Sequence, residues 1–216
     1  MLATWFPIDC VLCENPPKVL CAECEANLPI RQRTVTRAGL LPGFALANYE
    51  GQAQQVVHAF KQSGSLSLAR TMAAPMASAV LEWLAQNAAS AGELIYLVPA
   101  PSRPASIRHR GYVPAEVLAQ AIKRKLRTRG VITRVSNCVN FAKGVKDQSQ
   151  LSASERSTNL EGRVWVESGA SFRLKMGRVI LIDDIVTTGS TLRNVASALE
   201  QSGVKPEIFL SFAETL

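Results

Sequence analysis

Two adjacent carboxylates, Asp183 and Asp184, follow the apolar run Val179-Ile180-Leu181-Ile182. After them come Ile185-Val186 and a short run of small residues, Thr187-Thr188-Gly189-Ser190-Thr191. Side-by-side acids can accept hydrogen bonds from neighbouring hydroxyls, as on a ribose, or hold Mg²⁺ through water. A loop of small residues that enters a helix offers an anion its backbone N–H groups and the positive end of the helix dipole. The hydroxyls of Thr187, Thr188, Ser190 and Thr191 add donors without bulk. The acids cannot bind that same phosphate. One ligand satisfies both halves: a sugar phosphate with a free cis-diol.

The elements needed to hold such a ligand are legible around the motif. The apolar run, rich in β-branched residues, predicts a strand buried on both faces that ends at the acids. A helical pattern begins near Leu192, turns Val195, Ala196 and Leu199 inward and stops at Gly203. In open α/β sheets, ligands bind outside the carboxyl ends of the strands. A second buried-strand run, Leu94 to Val98, leads into Pro99-Ala100-Pro101-Ser102-Arg103 and then Arg108-His109-Arg110-Gly111-Tyr112. The stiff, basic turn region suits phosphate oxygens, because guanidinium forks bind them in pairs. A solvated basic loop is the alternative, and His109 alone carries no catalytic signal.

Cys10-x-x-Cys13 and Cys21-x-x-Cys24 form a second constellation, with Asn15-Pro16-Pro17 as a turn between the pairs. Each pair can present two thiolates on one side, as a tetrahedral Zn²⁺ site requires. With all four positions filled by protein, such a zinc is structural. Disulfides or free thiols are the other readings, and the absence of an export signal disfavours disulfides. Cys138 lies apart. Leu28-Pro29 and Arg31 to Arg37 read as a linker. Beyond it, Phe44 to Tyr49 reads as a strand. Helices follow from Gly51 to Gly64, from Leu68 to about Asn87 with a kink or break at Pro75, and from Pro114. Val131 to Phe141 and Arg163 to Val166 read as strands, Pro206 to Phe212 as the last one, and 142–154 as a polar lid.

Composition bounds the class. The chain has 216 residues, 47% hydrophobic and 19% charged, with net charge +7. That is enough for one domain with a small appendage. The sequence contains neither an apolar run long enough to span a membrane nor a secretory signal, so a cytoplasmic protein is expected. The positive charge suits an anionic ligand and leaves single-stranded DNA open as a partner. The basic end of the third helix, Lys123 to Arg129, is a solvated face or a nucleic-acid contact.

The stretch from Val179 to Thr191 resembles the phosphoribosyl pyrophosphate (PRPP) signature of type I phosphoribosyltransferases. The other segments occur in an order that is similar to the ComF/GntX family: the double CxxC, Tyr49-x-Gly51…Lys61-x-x-Gly64, Pro99-x-Pro101…Arg110-Gly111-Tyr112, and Gln148…Arg156…Asn159. The resemblance implies a mainly parallel α/β sheet flanked by helices (39–216) after a zinc knuckle and linker (1–38). It implies that Asp183 and Asp184 hold the ribose, that Thr187, Thr188, Gly189, Ser190 and Thr191 hold the 5′-phosphate, and that Mg²⁺ accompanies PRPP. Ser102, Arg103, Arg108 and Arg110 are the pyrophosphate candidates; no role is read for Lys61, Gln148, Arg156 or Asn159. It further implies transfer of phosphoribosyl to an unidentified acceptor and, in some members, a link to DNA uptake. A PRPP or nucleotide sensor without turnover, or a single-stranded DNA-binding accessory protein, are the rival readings. Val113 stands where members often carry Asn, and the further CxxC pair of longer members is missing, so one zinc is expected.

Overall fold

Alternation along the apolar strands builds a sheet covered on both faces. The computed structural model describes residues 9–15, 19–87, 90, 92–141 and 164–215. Its main sheet has six strands, in the order β1 (Arg33–Val35), β2 (Gly43–Asn48), β8 (Ile208–Glu214), β7 (Arg178–Val186), β3 (Ile95–Pro99) and β4 (Thr133–Val135). β1 is antiparallel to β2, and every other pairing is parallel. The mainly parallel α/β architecture expected from the sequence is therefore present.

Ile180, Ile182, Leu210 and Phe212 point into one core with the helices α2 (Gly51–Ser63), α3 (Leu66–Gln86) and α5 (Pro114–Arg127). Their neighbours Val179, Leu181 and Phe209 point the other way, toward α6 (Ala170–Leu174) and α7 (Ser190–Gln201). This period of two is what a strand buried on both faces requires. Phe60 and Met72 are fully buried in the first core, each contributing roughly 1.5–3 kcal/mol by leaving water.

Five sequence expectations are altered by tertiary pairing. Arg33–Val35, read as linker, is the edge strand β1, because it finds the free side of β2. The strand that carries the acids does not stop at them: β7 runs on to Val186, since Ile185 and Val186 still pair with Ala213 and Glu214 of β8. Arg108 and Arg110 lie not on a loop but on a short helix, α4 (Pro104–Arg110), which opens on a proline and closes at the left-handed Gly111. Val131 to Phe141 is two strands in two sheets: β4 pairs with β3, whereas β5 (Val139–Phe141) pairs antiparallel with β6 (Val164–Val166). α3 continues through Pro75 without a break. The lid reading of 142–154, with Gln148, Arg156 and Asn159, lies outside the described residues, as do Pro16 and Pro17.

Candidate functional site

The carboxyl ends of β7 and β3 lie side by side. Pro99 is in register with Ile182, and the Ala100 N–H donates to the Ile182 carbonyl at 2.8 Å. The turn Pro99-Ala100-Pro101-Ser102 is thereby set next to Asp183. Successive strand residues face opposite ways, so the two acids meet different neighbours. Asp183 lines a small cavity with Thr187, Gly189, Ser190 and Thr191, on the α7 side. Asp184, 7% exposed, faces α2, where its Oδ2 lies 3.2 Å from Lys61 Nζ. The Asp184 backbone N–H donates to Asp183 Oδ1 at 2.8 Å, which holds the Asp183 carboxyl against the chain that follows it. Burial first, and then the Asp184 charge, hold the Asp183 carboxyl well above the usual carboxylate range; Lys61 acts against that rise.

The loop after β7 is shaped by one glycine and one arginine. Gly189 has φ +74°, and a Cβ there would lie 2.8 Å from Leu40 Cδ2. Arg193, in the first turn of α7, donates to the carbonyls of Thr188 (2.9 Å) and Ala38 (3.2 Å). These bonds close the loop around the start of α7. The Ser190 N–H donates to Thr188 Oγ1 at 3.3 Å. Thr187, Thr188 and Ser190 are exposed at the mouth. The cavity that Thr187 and Ser190 share with Asp183 has a volume of about 20 Å³. It is a compact nest of donors at a twelve-residue helix's positive end.

On the β3 side, Arg103 and Arg108 are exposed and Arg110 is half-buried. Among the described residues none of the three forms an ion pair with a carboxylate. Tyr112 does not point outward. Its hydroxyl donates to the Phe60 carbonyl, and its ring packs edge-on against Phe60, with centroids 6.2 Å apart. Burial raises the Tyr112 pKa. A cavity of about 720 Å³ opens beside Pro99 and Ser102, with Phe141 and Trp165 on its walls and Glu116 and Glu167 among its acceptors. Its lining is mostly apolar, and Glu116 and Glu167 accept hydrogen bonds from Asn137 and Asn140.

The four N-terminal cysteines converge. Their sulfurs all lie within 4.8 Å of one another, and none is in a disulfide. A Zn–S bond of about 2.3 Å in a tetrahedron places sulfurs roughly 3.8 Å apart; Cys13 and Cys21 are 3.7 Å apart. The Cys21 N–H points to Cys10 Sγ and the Cys24 N–H to Cys21 Sγ, both at 3.4 Å. Burial disfavours the Cys10 thiolate, but the amides of Cys21, Leu12 and Cys13 outweigh it and lower its pKa to about 6. Cys24 is pushed up, first by the Cys21 sulfur. Such a set resists full ionisation until a cation arrives, so the cluster fits a metal ion and could hold zinc. Cys138 is buried in the second core, far from this set in sequence.

Sequence reasoning gave no role to Lys61 or Tyr112, although both stand in the segments it singled out by spacing. The structure joins them: Tyr112 holds the end of α2, and α2 delivers Lys61 to Asp184.

Residues 105–211 match the family model of the phosphoribosyl transferase domain. The chain is 32% identical to competence protein F of Haemophilus influenzae over 109 residues, which is 50% of this chain and 45% of that protein. It is 28% identical to the DNA utilization protein YhgH of Escherichia coli over 189 residues, 85% of this chain and 72% of that one. Thus the match with the Haemophilus relative spans less than half of that relative's length. A crystal structure of hypoxanthine-guanine phosphoribosyltransferase from Schistosoma mansoni in complex with IMP aligns with a TM-score of 0.32 and 13% identity, over 68% of this chain and 66% of that one. That likeness is too slight to carry an argument. No helix among the described residues is long and apolar enough to cross a membrane.

Proposed function

Since this chain carries a phosphoribosyl transferase domain and has homologues named competence protein F and DNA utilization protein YhgH, we propose that it binds PRPP and transfers its phosphoribosyl group to an acceptor, releasing pyrophosphate. The observation that carries this reading is Asp183 and the Thr187–Thr191 loop sharing one cavity at the head of α7. In the proposed complex the 5′-phosphate takes the backbone N–H groups and hydroxyls of Thr187, Thr188, Gly189, Ser190 and Thr191. Asp183 and Asp184 accept the ribose hydroxyl protons. Ser102, Arg103, Arg108 and Arg110 take the pyrophosphate end.

Mg²⁺ bound with PRPP would spread the charge that gathers on the departing pyrophosphate. The chain's own work is then orientation and charge stabilisation. The acceptor's lone pair forms a bond to C1 as the C1–O bond to pyrophosphate breaks. The electron pair leaves with the pyrophosphate, and the acceptor's proton passes to solvent. Cys10, Cys13, Cys21 and Cys24 would hold a structural Zn²⁺ outside this chemistry. The names of the relatives support a place in DNA uptake or use. They equally favour a second reading, a PRPP-responsive accessory protein that contacts single-stranded DNA through the exposed Arg124, Lys125, Arg127 and Arg129.

Calorimetric titration with Mg²⁺-PRPP tests the site. Asp183→Asn and Asp184→Asn keep shape and are expected to stay folded. A charge-assisted hydrogen bond is worth about 1.5–3 kcal/mol, so each variant is expected to bind roughly ten- to a hundredfold more weakly. Parental affinity in both variants would remove the ribose assignment. Pyrophosphate release over a panel of bases and amines separates the two readings: sustained release marks the transferase, and binding without release marks the sensor.

A further inference from the structure

Lys61 is placed with more care than a surface lysine. It stands in the last turn of α2, where a cation meets the negative end of the helix dipole. That turn is fixed. Gly64 closes the helix in the left-handed region and donates its N–H to the Phe60 carbonyl at 2.9 Å. The Tyr112 hydroxyl donates to the same carbonyl, and Phe60 itself is fully buried. From this anchored turn the Lys61 side chain, 25% exposed, reaches the Asp184 side chain, 9% exposed, at 3.2 Å. Glu214, the acid at the end of the neighbouring β8, is engaged by Arg37 at 3.1 Å and does not compete for Lys61.

The charge balance of the site gives this pair a task. PRPP is a polyanion, and two neighbouring carboxylates would repel it as it enters. A lysine ammonium beside one of them offsets that charge and holds the carboxylate in one orientation. We propose that Lys61 is a positioning residue for the ribose end of the site: its ammonium orients the Asp184 carboxylate and offsets its charge as a phosphorylated ribose binds. The assignment rests on the reading of Asp183 and Asp184 as the ribose acids. It concerns the shared ribose 5-phosphate part of the ligand, not the pyrophosphate.

Lys61→Met keeps the apolar stem and removes the charge; Lys61→Arg keeps the charge. The full-length protein and both variants, shown folded by circular dichroism, are titrated calorimetrically with Mg²⁺-PRPP and, separately, with ribose 5-phosphate. Lys61→Met is expected to weaken both ligands by a similar factor, about tenfold. Lys61→Arg is expected to recover most of that loss. In an Asp184→Asn background, Lys61→Met should cost little more, because the two residues act as one unit. A loss confined to PRPP would mean that Lys61 reads pyrophosphate, and the positioning role falls. The same role falls if the loss is as large without Asp184, or if Lys61→Met binds like the parent. A parent protein that binds neither ligand removes the ribose reading itself, and this proposal with it. Parental binding with an indifferent Lys61 removes the proposal alone.

Discussion

Burial and the neighbouring Asp184 charge make Asp183 a costly residue for the folded protein. The carboxyl's ordinary value is 3.8, and the folded state raises it well above that. Between those two values the folded chain binds more protons than the unfolded one. Stability associated with this group is therefore fully present below the ordinary value and is lost as pH rises through the folded one. Asp183→Asn removes the titration yet keeps an Oδ1 to accept the Asp184 N–H. The ligand-free variant is expected to melt a few degrees above the parent at mildly alkaline pH, with the difference closing as pH falls toward 3.8. Calorimetric melts across pH check this. An offset that stays constant with pH would exclude Asp183 as its source. The same substitution weakens PRPP in the proposed site, so the residue trades stability for binding.

The loop between β7 and α7 depends on a backbone shape that side chains rarely adopt. Gly189 combines φ +74° with close packing against Leu40, whose side-chain tip a methyl group would have to displace. A non-glycine residue in the left-handed region costs roughly 1–2 kcal/mol, and the contact with Leu40 adds to it. Gly189→Ala is expected to lower the melting temperature and to abolish measurable phosphate binding, since the N–H groups at the head of α7 would no longer converge. Ser190→Ala, which deletes one exposed hydroxyl, should leave stability unchanged and weaken phosphate only modestly. Thermal melts and phosphate titration of the two variants separate loop shape from loop chemistry. Equal behaviour of the two would show that the turn tolerates a side chain.

At the scale of the molecule, the cysteine cluster is not a loose appendage. Cys10, Leu20 and Leu28 are buried in the same core as Phe60, Met72 and Ile180. Glu25 accepts a hydrogen bond from Thr71 Oγ1 at 2.8 Å, joining α1 (Ala22–Ala26) to α3. A structural zinc in such a cluster carries roughly 10–16 kcal/mol of apparent binding energy. Cys21→Ser is expected to release the metal and unfold the residues before about Leu28. Because that part covers α3, the rest of the protein should also melt at lower temperature. Elemental analysis of the purified protein and its variant, with melting curves of both, measures this. Protein prepared without chelator and devoid of zinc would end the assignment. Cys138→Ser should leave the metal content untouched.

What the sequence determined alone is what is contiguous in it. Val179 to Thr191 holds strand, acids, loop and helix start in thirteen neighbouring residues, so alternation, small residues and a glycine suffice to announce them. The two CxxC pairs are equally local, and their convergence needs only two knuckles and a turn. Pairings between distant segments carry no such signal. Arg33–Val35 is polar and short, and only the open side of β2 makes it a strand. Val131 to Phe141 looks continuous in hydropathy, but the Ser136 N–H bonds to Leu97 and the Cys138 carbonyl to Glu167, so the chain leaves one sheet for another. Asp183 and Asp184 read as twins until packing gives them different neighbours, the α7 cavity for one and Lys61 for the other. That division of labour needed α2, α3 and the Tyr112 contact to pack before any charge could meet its partner, and packing between remote segments is what local pattern does not encode.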